Sequence, residues 1–496
     1  MTTTVTTMNT RSSFLMAHVL HRRVWLGALV TLACGAISAC SSIHDVLDVP
    51  PPAGVQTAEG LQTRTGAEAT FAFAKAELLE AFAASRGLVE LNGLLSDEFT
   101  WSDFVDRSDN IDARHTVVLP GYSERGDTPL QAILSSRSSL LLAAQGLHQY
   151  EPSTEQWRTG EAYALIGYAE LWLAESYCAG VTLSRNLPMS GIEYGKPLTT
   201  DSLLVIAQAH FDSAITFAGT NTTIQMLATV GSARAQLDRG HVAEAAAVSA
   251  AVPTDYVYDA QTRPDQSGPG QPNVYEYNIL NPFTGGCSYI NVADQEGTNG
   301  LNFLSANDPR LVTDTTIAET CDRRSNPSAP PLYYPIKFGN PSATIPIATG
   351  VEARLIEAEG ALQANQITTW ASDLNTLRSA APQTYLQLGN AMSPLTSDST
   401  VTASAVQRIA VQFRERAFWL FGTGTRLGDM RRLIKQYGQY GFTPANVYPT
   451  GPYANGAAAD FPSYSADISL TLPTPNSGAP ITNPYYEGCL TSTTAD

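Results

Sequence analysis

Cysteine is scarce in this 496-residue chain, and none of the six stands in C-x-x-C spacing, so thiol redox catalysis and a zinc finger both lack support. Histidine is equally sparse. His115, His148, His210 and His241 are scattered without H-E-x-x-H or other ligand spacing, which gives no metal site, and no G-x-S-x-G marks a serine hydrolase. Basic residues are outnumbered, 29 Lys and Arg against 46 Asp and Glu, so a net charge of −17 repels a polyphosphate and argues against nucleic acid as a partner. Charge of either sign is limited to 15% of residues while hydrophobic residues reach 43%, too apolar a balance for a chain that stays unfolded. The 37 Gly and 30 Pro predict a globular protein with many loops.

Long apolar runs are also missing. The longest near the start, Val24 to Ile37, covers 14 residues, short of the roughly 20 that span a bilayer as a helix. It follows His21-Arg22-Arg23 and precedes Ser38-Ala39-Cys40, the positive, apolar and small-residue order of a secretory signal. Ile37-Ser38-Ala39-Cys40 resembles a bacterial lipobox, in which the cysteine becomes the acylated first residue of the mature chain. Acyl chains at Cys40, at roughly 0.8 kcal/mol per buried methylene, hold a protein at a membrane without a spanning helix. Ser41 and Ser42 follow, with no Asp directly after the cysteine, and in the bacterial sorting pattern this favours the outer membrane. The expected organisation is a signal peptide at 1–39, a lipid anchor and Pro-rich tether at 40–65, and one helical domain at 66–496. A loop-rich insertion is expected at about 253–346 and an irregular end at about 441–496.

With Cys34 in the signal and Cys40 lipidated, Cys178, Cys287, Cys321 and Cys489 remain, enough for two disulfides beyond the inner membrane. Three connectivities are open. Cys287 and Cys321 share one loop-rich stretch, which favours pairing them and Cys178 with Cys489.

Helical periodicity predicts helices at about 66–95, 130–150, 153–177, two between 201 and 237, 243–248, 348–363, 369–378 and 403–437. Ser153 with Gln156 three positions on predicts a capping box. Leu165, Tyr168 and Trp172 are expected in the core, and Gly167 and Ala164 where helices press together. The small-residue series Ala228, Gly231, Ala233, Leu237, Gly240 and Ala245 resembles a degenerate tetratricopeptide unit.

No catalytic constellation emerges. Arg414, Glu415, Arg416 and Asp429 suit ion pairing between helices better than acid–base work, because 414 to 416 point to different sides of one helix. Gly422, Gly424 and Gly428 are spaced one residue too long for a dinucleotide fingerprint and follow a helix, so an interhelical turn is expected there. Asp97, Glu98, Asp103 and Asp106 supply carboxylates of glycosidase type, without a spacing that fixes their separation. The expectation is a binder that is not an enzyme, with no cofactor. Flat aromatics and amides suit sugar faces and hydroxyls, which nominates Trp101, Tyr289, Asn291, Phe303 and Tyr333, near Asp294 and Asn302, as ligand contacts.

Four separated segments carry a resemblance. They are Gly350-Val351-Glu352-Ala353-Arg354-Leu355-Ile356-Glu357-Ala358-Glu359 with Trp370 to Arg378, Arg414-Glu415-Arg416-Ala417-Phe418-Trp419-Leu420 leading to Arg426-Leu427-Gly428-Asp429, Leu472-Pro473-Thr474-Pro475 with Asn483-Pro484, and the lipobox followed by Leu47-Asp48-Val49. Together they resemble the SusD/RagB family. The resemblance implies a mostly α fold of tetratricopeptide-like hairpins packed against a loop-rich region. It also implies a cell-surface binder that delivers a nutrient, most often a glycan and in some members a peptide, to a SusC-like TonB-dependent transporter. The competing expectation is a tetratricopeptide-like scaffold lipoprotein that binds other proteins.

Overall fold

The computed structural model describes residues 60–84, 87–101, 109–116, 124–187, 191–260, 290–314, 333–338, 343–380, 392–453, 461–473 and 482–491. Cys40, the signal peptide, most of the tether, Tyr289, Cys287 and Cys321 lie outside them. Residues 58–496 form one compact unit.

The described chain is mostly helical. Its helices are α1 (Arg64–Ala83), α2 (Leu88–Leu95), α3 (Asp109–Asp112), α4 (Glu124–Tyr150), α5 (Trp157–Ser176), α6 (Thr200–Ala218), α7 (Thr222–Asp238), α8 (Val242–Ser249), α9 (Gly350–Gln363), α10 (Ile367–Ala380), α11 (Ala405–Trp419), α12 (Arg426–Tyr437) and α13 (Pro444–Val447). From α4 to α10 each helix packs on the next, and α1 packs on α4, as stacked tetratricopeptide-like hairpins do. Such units bury their apolar faces only against neighbours, so a main core runs along the stack, with a smaller cluster around Leu355, Trp370 and Leu374 between α9 and α10. The helical stretch expected at 403–437 is two helices, separated at Leu420–Thr425 by the expected interhelical turn, where Gly422 and Gly424 adopt positive φ.

Polar caps set where several helices start. The side chains of Thr199, Asn221 and Thr349 accept the N–H groups of Ser202, Ile224 and Glu352 at 3.1, 3.2 and 3.0 Å. The capping box expected at Ser153 does not form: Ser153–Glu155 is a 3-10 turn, and Gln156 turns its amide to the His148 and Glu151 carbonyls. A capping box occurs at Ser404 and Gln407, which opens α11.

Small residues determine how closely the hairpins approach. The Phe211 ring of α6 occupies the space left by two missing side chains, since a Cβ on Gly167 of α5 or Gly231 of α7 would lie 2.7 or 2.3 Å from it. Tyr168 and Trp172 are buried as expected, with Trp172 stacked 4.2 Å from Phe82.

The strands are short. They are β1 (Phe99–Trp101), β2 (Arg185–Leu187), β3 (Gly191–Glu193), β4 (Val257–Ala260), β5 (Ile290–Val292), β6 (Thr313–Asp314), β7 (Tyr334–Pro335) and β8 (Ile345–Thr349), in four antiparallel pairs. Pairing of β4 with β8 closes the base of the long insertion, and β1 with β5 draws the insertion to the N-terminal helices. Among the described residues no helix is long and apolar enough to cross a membrane.

The C-terminal stretch has little regular structure of its own and is held by contacts to the frame. Cys178 at the end of α5 is bonded to Cys489, as expected, across 311 residues of sequence, while Leu470 and Leu490 donate backbone hydrogen bonds to Ser176 and Ala179. Replacing both cysteines by serine should therefore lower unfolding free energy by about 2–4 kcal/mol and expose 461–491 to protease before the helical frame. Urea unfolding with limited proteolysis checks this; an unchanged midpoint and an equally resistant tail contradict it.

Candidate ligand-binding face

The Arg-Glu-Arg and Arg-Leu-Gly-Asp segments fall on α11 and α12, and all their charges but that of the partly exposed Arg414 are buried. Arg416 donates through Nε to both Asp429 oxygens at 2.9 and 2.8 Å, and Arg432 bridges Asp429 at 2.9 Å and Glu359 of α9 at 2.8 Å. Tyr437 also donates to Glu359, at 2.8 Å. Burial alone would raise the Asp429 carboxyl, but Arg416 and Arg432 together hold it below the usual range. These residues pair ions and leave no free acid or base.

Arg426, at the first position of α12, carries this frame into the loops. Its Nε and Nη2 grip Asp97 at 2.7 and 3.0 Å, and the same carboxylate accepts the Leu301 N–H at 2.9 Å. The next residue, Glu98, accepts the Gly422 N–H through Oε1 at 3.1 Å and the Ala293 N–H through its backbone carbonyl at 3.0 Å. Two consecutive acidic residues, Asp97 and Glu98, thereby fix both ends of the 293–301 loop.

Around it, Thr100 pairs with Asn291 in the β1–β5 ladder, and the Asn291 side chain accepts the Tyr333 N–H. Asp112 accepts the Trp101 N–H at 2.8 Å and the Tyr453 hydroxyl at 2.6 Å, which ties α3, β1 and the C-terminal stretch together. Burial, reinforced by Asp112 and Asp97, pushes the Glu296 carboxyl well above its ordinary range despite the nearby Thr100 hydroxyl.

The expected ligand residues separate into two groups. Trp101, Asn291 and Tyr333 come together, but Trp101 and Asn291 are buried, and Phe303 has no exposed surface, its ring packed 5.0 Å from both Phe418 and Phe421. These three support the loops from below, because a buried ring offers a ligand no face. Tyr333 is half-buried, and nearby in sequence Ile336, 40% exposed, donates its N–H to the carbonyl of Val312, 37% exposed, at 2.9 Å. Asp294 is exposed and Asn302 partly so. Val312 and Ile336 escaped sequence reasoning, since aliphatic residues carry no binding signal, whereas Asp97 stood before Phe99 as a carboxylate whose partner lay 329 residues away.

The other constellations resolve as packing. Asp97 is ion-paired and Glu98 buried, so they do not present two solvent-facing carboxylates, and Asp103 and Asp106 lie outside the described residues. Glu68, Glu151 and Glu155 bring oxygens within 4.8 Å of one another, but Arg64 and Arg158 already pair with them. A cavity of about 180 Å³ between α5, α6 and α12 is lined by Leu204, Ile434, Ile468 and Arg431, the last of which donates to three carbonyls at the end of α5.

No family profile matches the sequence, and no curated protein does. Solved structures match across most of the chain. A SusD-like carbohydrate-binding protein from Bacteroides vulgatus aligns with a TM-score of 0.52 at 14% identity, covering 74% of this chain and 83% of its own. A SusD homologue from Bacteroides thetaiotaomicron gives 0.53 at 14% identity over 84% and 96%. Surface glycan-binding protein A from Bacteroides thetaiotaomicron, in complex with laminarihexaose, gives 0.52 at 10% identity over 80% and 95%. The chain has the SusD-like fold.

The buried acid beneath the face gives a pH signature. Burial, with Asp97 beside it, pushes the Glu98 carboxyl up to about 8 against the opposing influence of the Gly422 N–H, Arg426 and Lys337. The unfolded chain releases that proton near 4.5, so between the two values the folded state binds more protons and stability falls as pH rises. Urea midpoints measured from pH 5 to 8.5 should show wild type losing ground steadily to Glu98→Gln as pH rises. A difference independent of pH contradicts the assignment.

Proposed function

We propose that this protein is a cell-surface binder that captures a glycan and passes it to a SusC-like TonB-dependent transporter in the outer membrane, performing no chemistry on it. The observation that carries the proposal is the laminarihexaose-bound neighbour, whose fold matches this chain over most of its length. The site supports it in kind. Tyr333, Val312 and Ile336 offer flat or apolar surface, and Asp294 and Asn302 offer hydrogen-bonding groups, the two requirements of a sugar. The acids beneath the face, Asp97, Glu98 and Glu296, are buried, as suits binding better than hydrolysis.

In this proposal Cys40 carries the lipid. A tethered binder raises the ligand concentration at its transporter, so modest affinity is sufficient and very slow release would hinder delivery. The irregular face takes the ligand and the stacked hairpins serve as its rigid support.

Detergent extraction of native outer membranes followed by affinity purification of the chain should recover a large TonB-dependent barrel. Labelled palmitate should enter wild type and not Cys40→Ser, and a bound oligosaccharide should be returned unaltered. Recovery of soluble periplasmic partners without a barrel would instead support the scaffold alternative, and release of sugar products from the bound oligosaccharide would overturn the non-enzymatic assignment.

A further inference from the structure

The proposal above leaves the charge of the glycan open, and one arginine bears on it. Arg414 on α11 is partly exposed and, among the described residues, makes one hydrogen bond, from Nη1 to the side-chain oxygen of Asn302 at 2.9 Å. Among the described residues it has no carboxylate partner. Arg185, Arg239 and Arg426, in contrast, each meet an acid within 2.8 Å. The two acids closest to Arg414 are already engaged: Asp308 binds Arg310 at 2.7 Å, and Glu415 binds Arg310 at 2.8 Å and Arg378 at 2.7 Å. Three guanidinium groups therefore stand against two carboxylates, in a protein whose total charge is −17.

The surroundings hold Arg414 in place. Its guanidinium carbon lies 4.5 Å from the centroid of the buried Phe418 ring, and that of Arg310 lies 5.2 Å from the same ring. Asn302 is fixed from both sides, by the Leu301 N–H on Asp97 and by Phe303 in the core. Burial lowers the affinity of Arg414 for its own proton, with the charges of Asp308 and Glu415 opposing the shift and those of Arg310 and Arg378 adding to it. A guanidinium has five N–H donors, of which one is occupied here, and its fork matches a planar oxyanion.

We propose that Arg414, positioned by Asn302 and Phe418, is an oxyanion subsite of the ligand face, and that the glycan it takes is acidic, bearing a carboxylate or a sulfate ester. The inference rests on the glycan-binding proposal and narrows its ligand class. Arg310 and Arg378 do not take part directly, since their donors face Glu415 and Asp308.

The test is calorimetric titration of the full chain in detergent with three probes of matched length: an oligogalacturonate, its methyl ester and a sulfated galactose oligosaccharide. One of the two anionic probes should bind about tenfold or more tightly than the ester, with the preference shrinking as salt rises. Which one does so tells carboxylate from sulfate. In Arg414→Gln the ratio should fall toward one while Arg414→Lys, which keeps the charge and loses the fork, retains part of it; circular dichroism and thermal midpoints confirm that both fold. Equal binding of acid, ester and sulfated probes, or a preference that survives Arg414→Gln, overturns the acidic-ligand inference and leaves glycan binding standing. Failure of all three probes to bind overturns both.

Discussion

Arg416, Asp429, Arg432 and Glu359 form a run of buried charges from α11 through α12 to α9, and the position of almost everything on the loop side follows from it. Taking such ions out of water costs several kcal/mol each, which only close pairing recovers, so the network contributes more to orientation than to stability. Removing one partner is a different matter, because the other is left buried and uncompensated at a cost of roughly 3–5 kcal/mol. Each arginine therefore has one productive arrangement. That requirement sets α12 at its angle to the hairpins, and with it the direction in which Arg426 points.

From Arg426 the constraint passes to Asp97 and Leu301, and from Glu98 to Gly422 and Ala293. A loop-rich surface normally has low local stability, since few of its backbone groups are held by regular ladders. Here the loops are instead held at intervals by buried side chains of a rigid frame. The disulfide at Cys178 and the backbone bonds around Leu470 do the same for the C-terminal stretch. A binding face made this way keeps irregular shape without losing position, and only its outermost residues are left for a ligand.

The helical frame was largely legible in the sequence because 3.6-residue periodicity survives without knowledge of partners. Its small-residue positions were legible too: Gly167 and Gly231 read as close-contact sites, and each faces Phe211. The turn at Leu420–Thr425 was legible as well, since Gly422 and Gly424 suit a turn between helices, and both adopt positive φ there. At the face, aromatic residues were nominated by type, and type does not report depth. Phe303 and Trp101 proved to be supports, while Val312 and Ile336, unremarkable as sequence, are exposed. The significance of Arg414 was hidden for a related reason. Its neighbour Glu415 looked like a partner until Arg310 and Arg378, 105 and 37 residues distant, were seen to hold it.

The division of labour between a charge-braced helical frame and a gripping irregular face is tested most directly by hydrogen–deuterium exchange of the chain with and without a bound oligosaccharide. The account predicts slowed exchange in 97–101, 291–306 and 333–338, with 200–249 unchanged. Slowed exchange confined to 200–249, with the loop segments exchanging as before, would contradict it.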